Sequence, residues 1–299
     1  MSMSDSGTQR IEASETILGE GMRILRALPS RQRRMIGAWC FLDHFGPQPV
    51  TSGRGLRVGP HPHIGLQTVT WPLQGEILHR DSLGSVQLIR PGQLNLMTSG
   101  RGISHSEESP AERSPTIHGA QLWIALPGSA RNGEPAFVHH PALPVVRRNG
   151  LQITVLLGEA FGERSPGRIF TPLVGLELRS DEAVQSSVEL DSAFEYGVML
   201  LEGEATVENE VIGAGVLLYL APGRHQLTVT TRGPTRVLLI GGKPYEEPLL
   251  MWWNFVARDK HELTRACRDW NREADYFGAV QGYDGARLTA PLPPWAEDK

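Results

Sequence analysis

Two short segments carry side chains that could do chemistry together: His61-Pro62-His63 and, about forty residues later, His105-Ser106-Glu107. In an extended strand alternate side chains share a face, so His61 and His63 project together, as do His105 and Glu107. Two neighbouring strands that turned these pairs toward one space would offer three imidazole nitrogens and one carboxylate oxygen, a metal site without thiolate. Such a set leaves a position or two open on the ion, which is what O2 or a chelating substrate needs. Fe(II) fits the set best, and Mn, Cu, Ni or Zn could also be held because imidazole suits several metals. A lone His-x-His is more often an ordinary core or surface pair. Two such pairs, each close to turn-forming glycines at Gly55 and at Gly100-Arg101-Gly102, outweigh that reading.

The remaining candidates carry less. His79, in Glu76-Ile77-Leu78-His79-Arg80-Asp81, and His118 lie on predicted strands near the site and could support the ligands, although a satisfied half-buried histidine is the commoner case. His139, His140 and His261 fall in loop-like or helical surface contexts. The sequence holds no GxSxG elbow, no P-loop and no GxGxxG opening a helix, so serine hydrolase, NTPase and dinucleotide readings have no support.

To position the ligand pairs the chain must be built of short strands, and it is. Its 33 glycines and 22 prolines are spread along the whole length and bracket runs rich in Val, Ile, Leu and Thr, such as Gln67–Trp71, Ser85–Ile89, Gln152–Leu157 and Arg236–Ile240. One helix is predicted near residues 259–274, where Leu263, Cys267 and Trp270 share a face and Asp259 is the N-cap. The chain also resembles itself. Leu73-Gln74-Gly75-Glu76 reads like Leu201-Glu202-Gly203-Glu204, and Gly92–Met97 reads like Gly215–Leu220, as expected for two copies of one β unit. The expected organisation is a loose tail over residues 1–14, a metal-binding domain over 15–135, and a second domain over 136–299 that includes the helix. The first repeat offset places Glu189 and Asp191 where His61 and His63 stand, and the later segment offers only His225, so the second copy is expected to lack a metal site.

Composition narrows the function further. Lys plus Arg is 29 against 33 for Asp plus Glu, a net charge of −4, so nucleic acid meets no excess of positive charge. The cluster Arg31-Gln32-Arg33-Arg34 reads as solvated surface. Cys40 and Cys267 are the only cysteines, far apart, which fits a reducing compartment. With neither a leader-like N-terminus nor an apolar run near the ~20 residues that cross a bilayer, a cytoplasmic protein without membrane contact is expected.

The chain resembles the pirins, of the two-domain cupin superfamily. The resemblance rests on Arg26–Ser30, Phe41–Pro47, His61–Thr70, His79–Ser85 and Met97–Glu107, is dense over about residues 18–127, and continues at Asn254-Phe255-Val256. It implies an all-β bicupin of two jelly-roll barrels with a short C-terminal helix, and iron in the N-terminal barrel alone. Carried over position by position, it gives the metal ligands His61, His63, His105 and Glu107, the four residues that strand periodicity singles out. The family includes quercetin (flavonol) 2,3-dioxygenases, which implies a flavonol-like substrate, O2 as co-substrate and Glu107 as the catalytic base. Other members are metal-dependent regulators, which implies the alternative of a redox-sensing iron protein acting through a protein partner. With both barrels in one chain, a monomer is expected. Gln67 stands where some pirins carry an acid, which would leave the proton chemistry to Glu107.

Overall fold

The structure, a computed structural model, describes residues 7–19 and 21–296. It is 52% strand and only 6% helix, the all-β architecture that the Gly- and Pro-punctuated runs predict. The chain divides into two compact units.

One unit holds both ligand motifs and comprises Ile17–Ile24, Phe45–Pro141 and the segment from Glu246 onward. Four of its strands form an antiparallel sheet in the order Arg57–His63, Ile103–Glu108, Ile77–Asp81, Val86–Ile89. A second, seven-stranded sheet contributes Ala136–His140, Leu94–Thr98, Leu66–Gln74 and Thr116–Ala125, in that order, to this unit. Val58, Ile77 and Ile89 of the first sheet pack with Ile117 of the second, each worth about 1.5–3 kcal/mol when fully buried. The two sheets thus make one barrel whose interior holds both an apolar cluster and buried polar residues.

The helix of this unit spans Lys260–Asn271, and Asp259 caps it by accepting from the Glu262 backbone N–H at 2.8 Å. Leu263, Cys267 and Trp270 are buried as their spacing predicts, together with Phe255, Phe277 and Ile64. A linear boundary near residue 135 assigns this helix to the second domain; instead its apolar stripe is buried in the unit that carries the histidines.

The other unit comprises the segment up to Thr16, Leu25–His44 and Ala142–Tyr245. Its larger sheet runs Thr8–Glu12, Val216–Leu220, Glu195–Glu202, Thr235–Gly242, Leu173–Ser180, Leu151–Leu157, Val145–Arg148, and its smaller one runs Ala183–Glu189, Gln226–Arg232, Ala205–Val207, Glu210–Ile212. Val198, Leu218 and Leu239 of the larger sheet share one apolar core with Val188, Val207 and Leu227 of the smaller. The expectation of a loose tail over residues 1–14 is corrected in its later part: Thr8–Glu12 adds an antiparallel edge strand to Val216–Leu220 and buries Ile11 completely. Residues 1–6 of that expectation lie outside the described residues.

The internal repeat is visible as equivalent turns. Gly75 and Gly203 each end a long strand with φ near +80°, and a Cβ at either would strike a backbone carbonyl, that of Thr116 or of Pro234. Only glycine fits both positions, which is why the Gly-Glu pair recurs.

Candidate metal centre

Sheet order brings the two ligand pairs together. Ile103–Glu108 pairs antiparallel with Arg57–His63, His105 standing opposite His61 and Glu107 opposite Val58. The step from His61 to Val58 is one residue longer than the step from His105 to Glu107, so the strand bulges near Gly59-Pro60 and His61 and Val58 both face inward. On its other edge Ile103–Glu108 pairs with Ile77–Asp81, setting Asp81 opposite His105 and His79 opposite Glu107. Three strands therefore each present an alternating pair to one inner face: His61/His63, His105/Glu107 and His79/Asp81.

The ligand atoms of His61, His63 and His105 all lie within 4.8 Å of one another. His63 Nε2 stands 3.0 Å from His105 Nε2, and the His61 and His105 rings have centroids 4.3 Å apart. Glu107 falls in an overlapping group: its carboxylate lies within 4.8 Å of ligand atoms on His79 and His105. The structure thus brings three of the four expected ligands together as one cluster. The fourth is tied to that cluster through His105, with Oε1 accepting from the Thr70 hydroxyl at 3.2 Å.

The donor set fits a cation. A backbone carbonyl can only accept, so His61 Nδ1–H donates to Gly59 O at 2.8 Å and His63 Nδ1–H donates to Asn254 O at 3.0 Å. A neutral ring carries one proton, so both Nε2 atoms are bare lone pairs turned into the same space. Burial also keeps the rings uncharged. It lowers His61 to about 4, with His79 adding repulsion and the Gly59 carbonyl opposing. It holds His63 and His105 well below the ordinary histidine range, with the neighbouring imidazoles as further causes. Neutral imidazole is the form a metal binds. Burial pushes the Glu107 carboxyl up, against the opposing effects of His79 and the Thr70 hydrogen bond. Among the described residues neither cluster includes a thiol; Cys40 and Cys267 are buried and not joined in a disulfide.

Aromatic rings close around the cluster. Trp123 meets His63 edge-on at 5.1 Å, and Phe137 stacks on His79 at 4.3 Å with the planes 10° apart.

His79 counts for more than its sequence context suggests. It is buried beside two of the expected ligands rather than half-buried apart from them. A signal for it exists in the sequence, since His79-Arg80-Asp81 has the same alternation as the two ligand pairs. His118, the other doubtful residue, is buried outside these clusters. His139 and His140 lie on the strand Ala136–His140, where His139 bonds Asn95 Oδ1 at 2.8 Å; they are not loop residues. Gln67 is fully buried, its amide donating to Thr98 Oγ1 at 2.9 Å. Three residues before Thr70 on a regular strand, it faces away from Glu107, so an acid there would not reach the site. Glu189 and Asp191 of the second barrel are exposed, and among the described residues no metal-ligating cluster occurs there. No described helix is long and apolar enough to cross a membrane.

The chain is similar to known proteins along nearly its whole length. The Pirin family matches residues 21–124, and the family described as Pirin C-terminal cupin domain matches residues 175–275. A Pseudomonas aeruginosa protein that bears the provisional name quercetin 2,3-dioxygenase is 50% identical over 291 residues, 97% of this chain and 92% of the relative. A pirin-like protein of Caulobacter vibrioides is 37% identical, covering 82% of this chain and 86% of its own. The crystal structure titled quercetin 2,3-dioxygenase from Acinetobacter baumannii superposes with a TM-score of 0.95 at 49% identity, covering 97% of both chains.

Proposed function

The chain belongs to the pirin family, and from that premise we propose that it is a quercetin 2,3-dioxygenase-type oxidoreductase with one metal, Fe(II), in the histidine-bearing barrel. The observation that carries the reading is the convergence of bare imidazole nitrogens from buried, neutral rings. His61, His63 and His105 hold the ion through Nε2, and Glu107 supplies the carboxylate. Bound Fe(II) would supply the activation of O2 that ring opening of a flavonol, with release of carbon monoxide, requires.

The chain's own residues do the rest. Glu107 takes the proton of the flavonol hydroxyl: burial raises its basicity, and the Thr70 hydroxyl donates to its Oε1 and fixes the carboxylate. Its near-complete burial, and that of the three imidazoles, keeps water from competing for that proton. Trp123 and Phe137 line the cluster with aromatic rings against His63 and His79. The reading places the enzyme in the cytoplasm, where buried thiols outside any disulfide stay reduced.

The test is carbon monoxide release from quercetin when O2 is admitted to anaerobically Fe(II)-loaded protein, with His105→Ala as the comparison. Release by the wild type and none by the variant is expected. Iron-loaded wild type that releases none, or a variant that releases as much, overturns the assignment; the first outcome turns the search to a protein partner.

A further inference from the structure

We infer that Asp81 and His79 are positioning residues that keep the proton of His105 on Nδ1, so that its Nε2 is open to the metal. The inference rests on the metal reading above and deepens it.

The chain of hydrogen bonds has a defined direction. Asp81 Oδ1 accepts from the backbone N–H groups of Leu83 and Ser85 at 2.9 and 3.0 Å, which pins the carboxylate. With two main-chain donors on Oδ1 and the His79 ring on Oδ2, the group is set as an accepting carboxylate. An ionised carboxylate only accepts, so His79 Nε2, 3.1 Å from Oδ2, carries the proton of that ring. The relay takes the His79 ring as neutral, with its single proton on Nε2, so that its Nδ1 is a bare acceptor. His105 Nδ1 lies 3.4 Å from it and must be the donor, which leaves His105 Nε2 without a proton, facing His63 Nε2 at 3.0 Å. The Phe137 ring stacked on His79 holds the imidazole plane in that alignment.

The relay decides between two states of the His63–His105 pair. Without it, the His105 proton could move to Nε2 and form a hydrogen bond to His63 Nε2, closing the pair on itself and occupying the lone pairs a metal needs. With it, both lone pairs stay open. His61 and His63 receive the same service from backbone carbonyls; His105 alone depends on side chains. No group in the relay changes its charge; what is set is which nitrogen carries the proton.

The test uses the full chain with Zn(II) as probe. Zn(II) affinity is measured by calorimetric titration for the wild type, His61→Ala, His79→Gln and His79→Leu. Glutamine still offers an oxygen that can accept from His105 Nδ1–H, whereas leucine offers none. The glutamine variant should stay near the wild type and the leucine variant should bind about 10–100-fold more weakly. Histidine 15N spectra of the Zn(II)-loaded wild type provide a second readout that needs no variant: His79 should appear protonated at Nε2 and His105 at Nδ1. Leucine binding as tightly as the wild type, glutamine falling together with leucine, or His79 protonated at Nδ1 each overturns the relay while leaving the metal site intact. A wild type that binds Zn(II) no better than His61→Ala overturns the metal reading itself, and the relay with it.

Discussion

His61 makes the burial of the site measurable without any metal. Desolvation, aided by His79 and opposed by the Gly59 carbonyl, lowers its pKa from 6.5 to about 4. Well above pH 6.5 the ring is neutral in both folded and unfolded chains and contributes nothing to the pH dependence. Below that pH the unfolded chain takes up a proton that the folded chain refuses, so stability falls as the pH falls, and the loss levels off near pH 4. At about 1.36 kcal/mol per unit of pKa difference the full loss is about 3 kcal/mol, of which about 2 kcal/mol is reached by pH 5. Urea unfolding in the presence of EDTA at pH 7.5 and pH 5 reads this directly. The His61→Gln variant, which has no ring to protonate, should lose about 2 kcal/mol less over that interval than the wild type. Equal losses in the two proteins would refute the claim that His61 is held neutral by burial.

Four further outcomes are expected. Gly65→Ala places a side chain at φ +70° against the Val256 carbonyl, two residues from His63, and should cost at least about 1–2 kcal/mol in urea unfolding and weaken Zn(II) binding. Thr70→Val removes the donor to Glu107, a bond to a charged group worth about 1.5–3 kcal/mol; Zn(II) affinity should fall about tenfold, and more steeply at acid pH because Glu107 rises further. Trp39→Phe, in the other unit, leaves the Gly241 carbonyl without the indole N–H now 3.1 Å away and should cost about 1–3 kcal/mol, with Zn(II) affinity unchanged in the same titration. Both cysteines are buried, and burial pushes the Cys267 thiol up to about 11, so a thiol reagent should label neither until denaturant is added.

Much of this protein is legible in its sequence because the relevant physics is local. Alternation along a strand puts His61 with His63 and His105 with Glu107 whatever the rest of the chain does. Helical spacing, together with the capping carboxylate of Asp259 at its start, places the helix within a few residues of its observed bounds. The recurrence of Gly75 and Gly203 marks the same left-handed turn in two barrels, a constraint that acts on one residue at a time.

Tertiary structure decided what depends on neighbours. His79 and Asp81 join the site because Ile77–Asp81 pairs with the open edge of Ile103–Glu108, and register sets His79 opposite Glu107; no local pattern specifies which strand lies beside which. The bulge near Gly59-Pro60 is likewise a property of the pairing. Residues Thr8–Glu12 look polar and loose in isolation, yet an available edge supplies their backbone partners and buries Ile11. The helix stripe says only that some surface must cover it, and the partner proves to be the histidine-bearing unit. The same division holds for the site itself. Residue type and spacing chose imidazole and carboxylate chemistry; burial made the rings neutral, and the hydrogen bonds to Gly59, Asn254 and His79 set which nitrogen each ring turns inward.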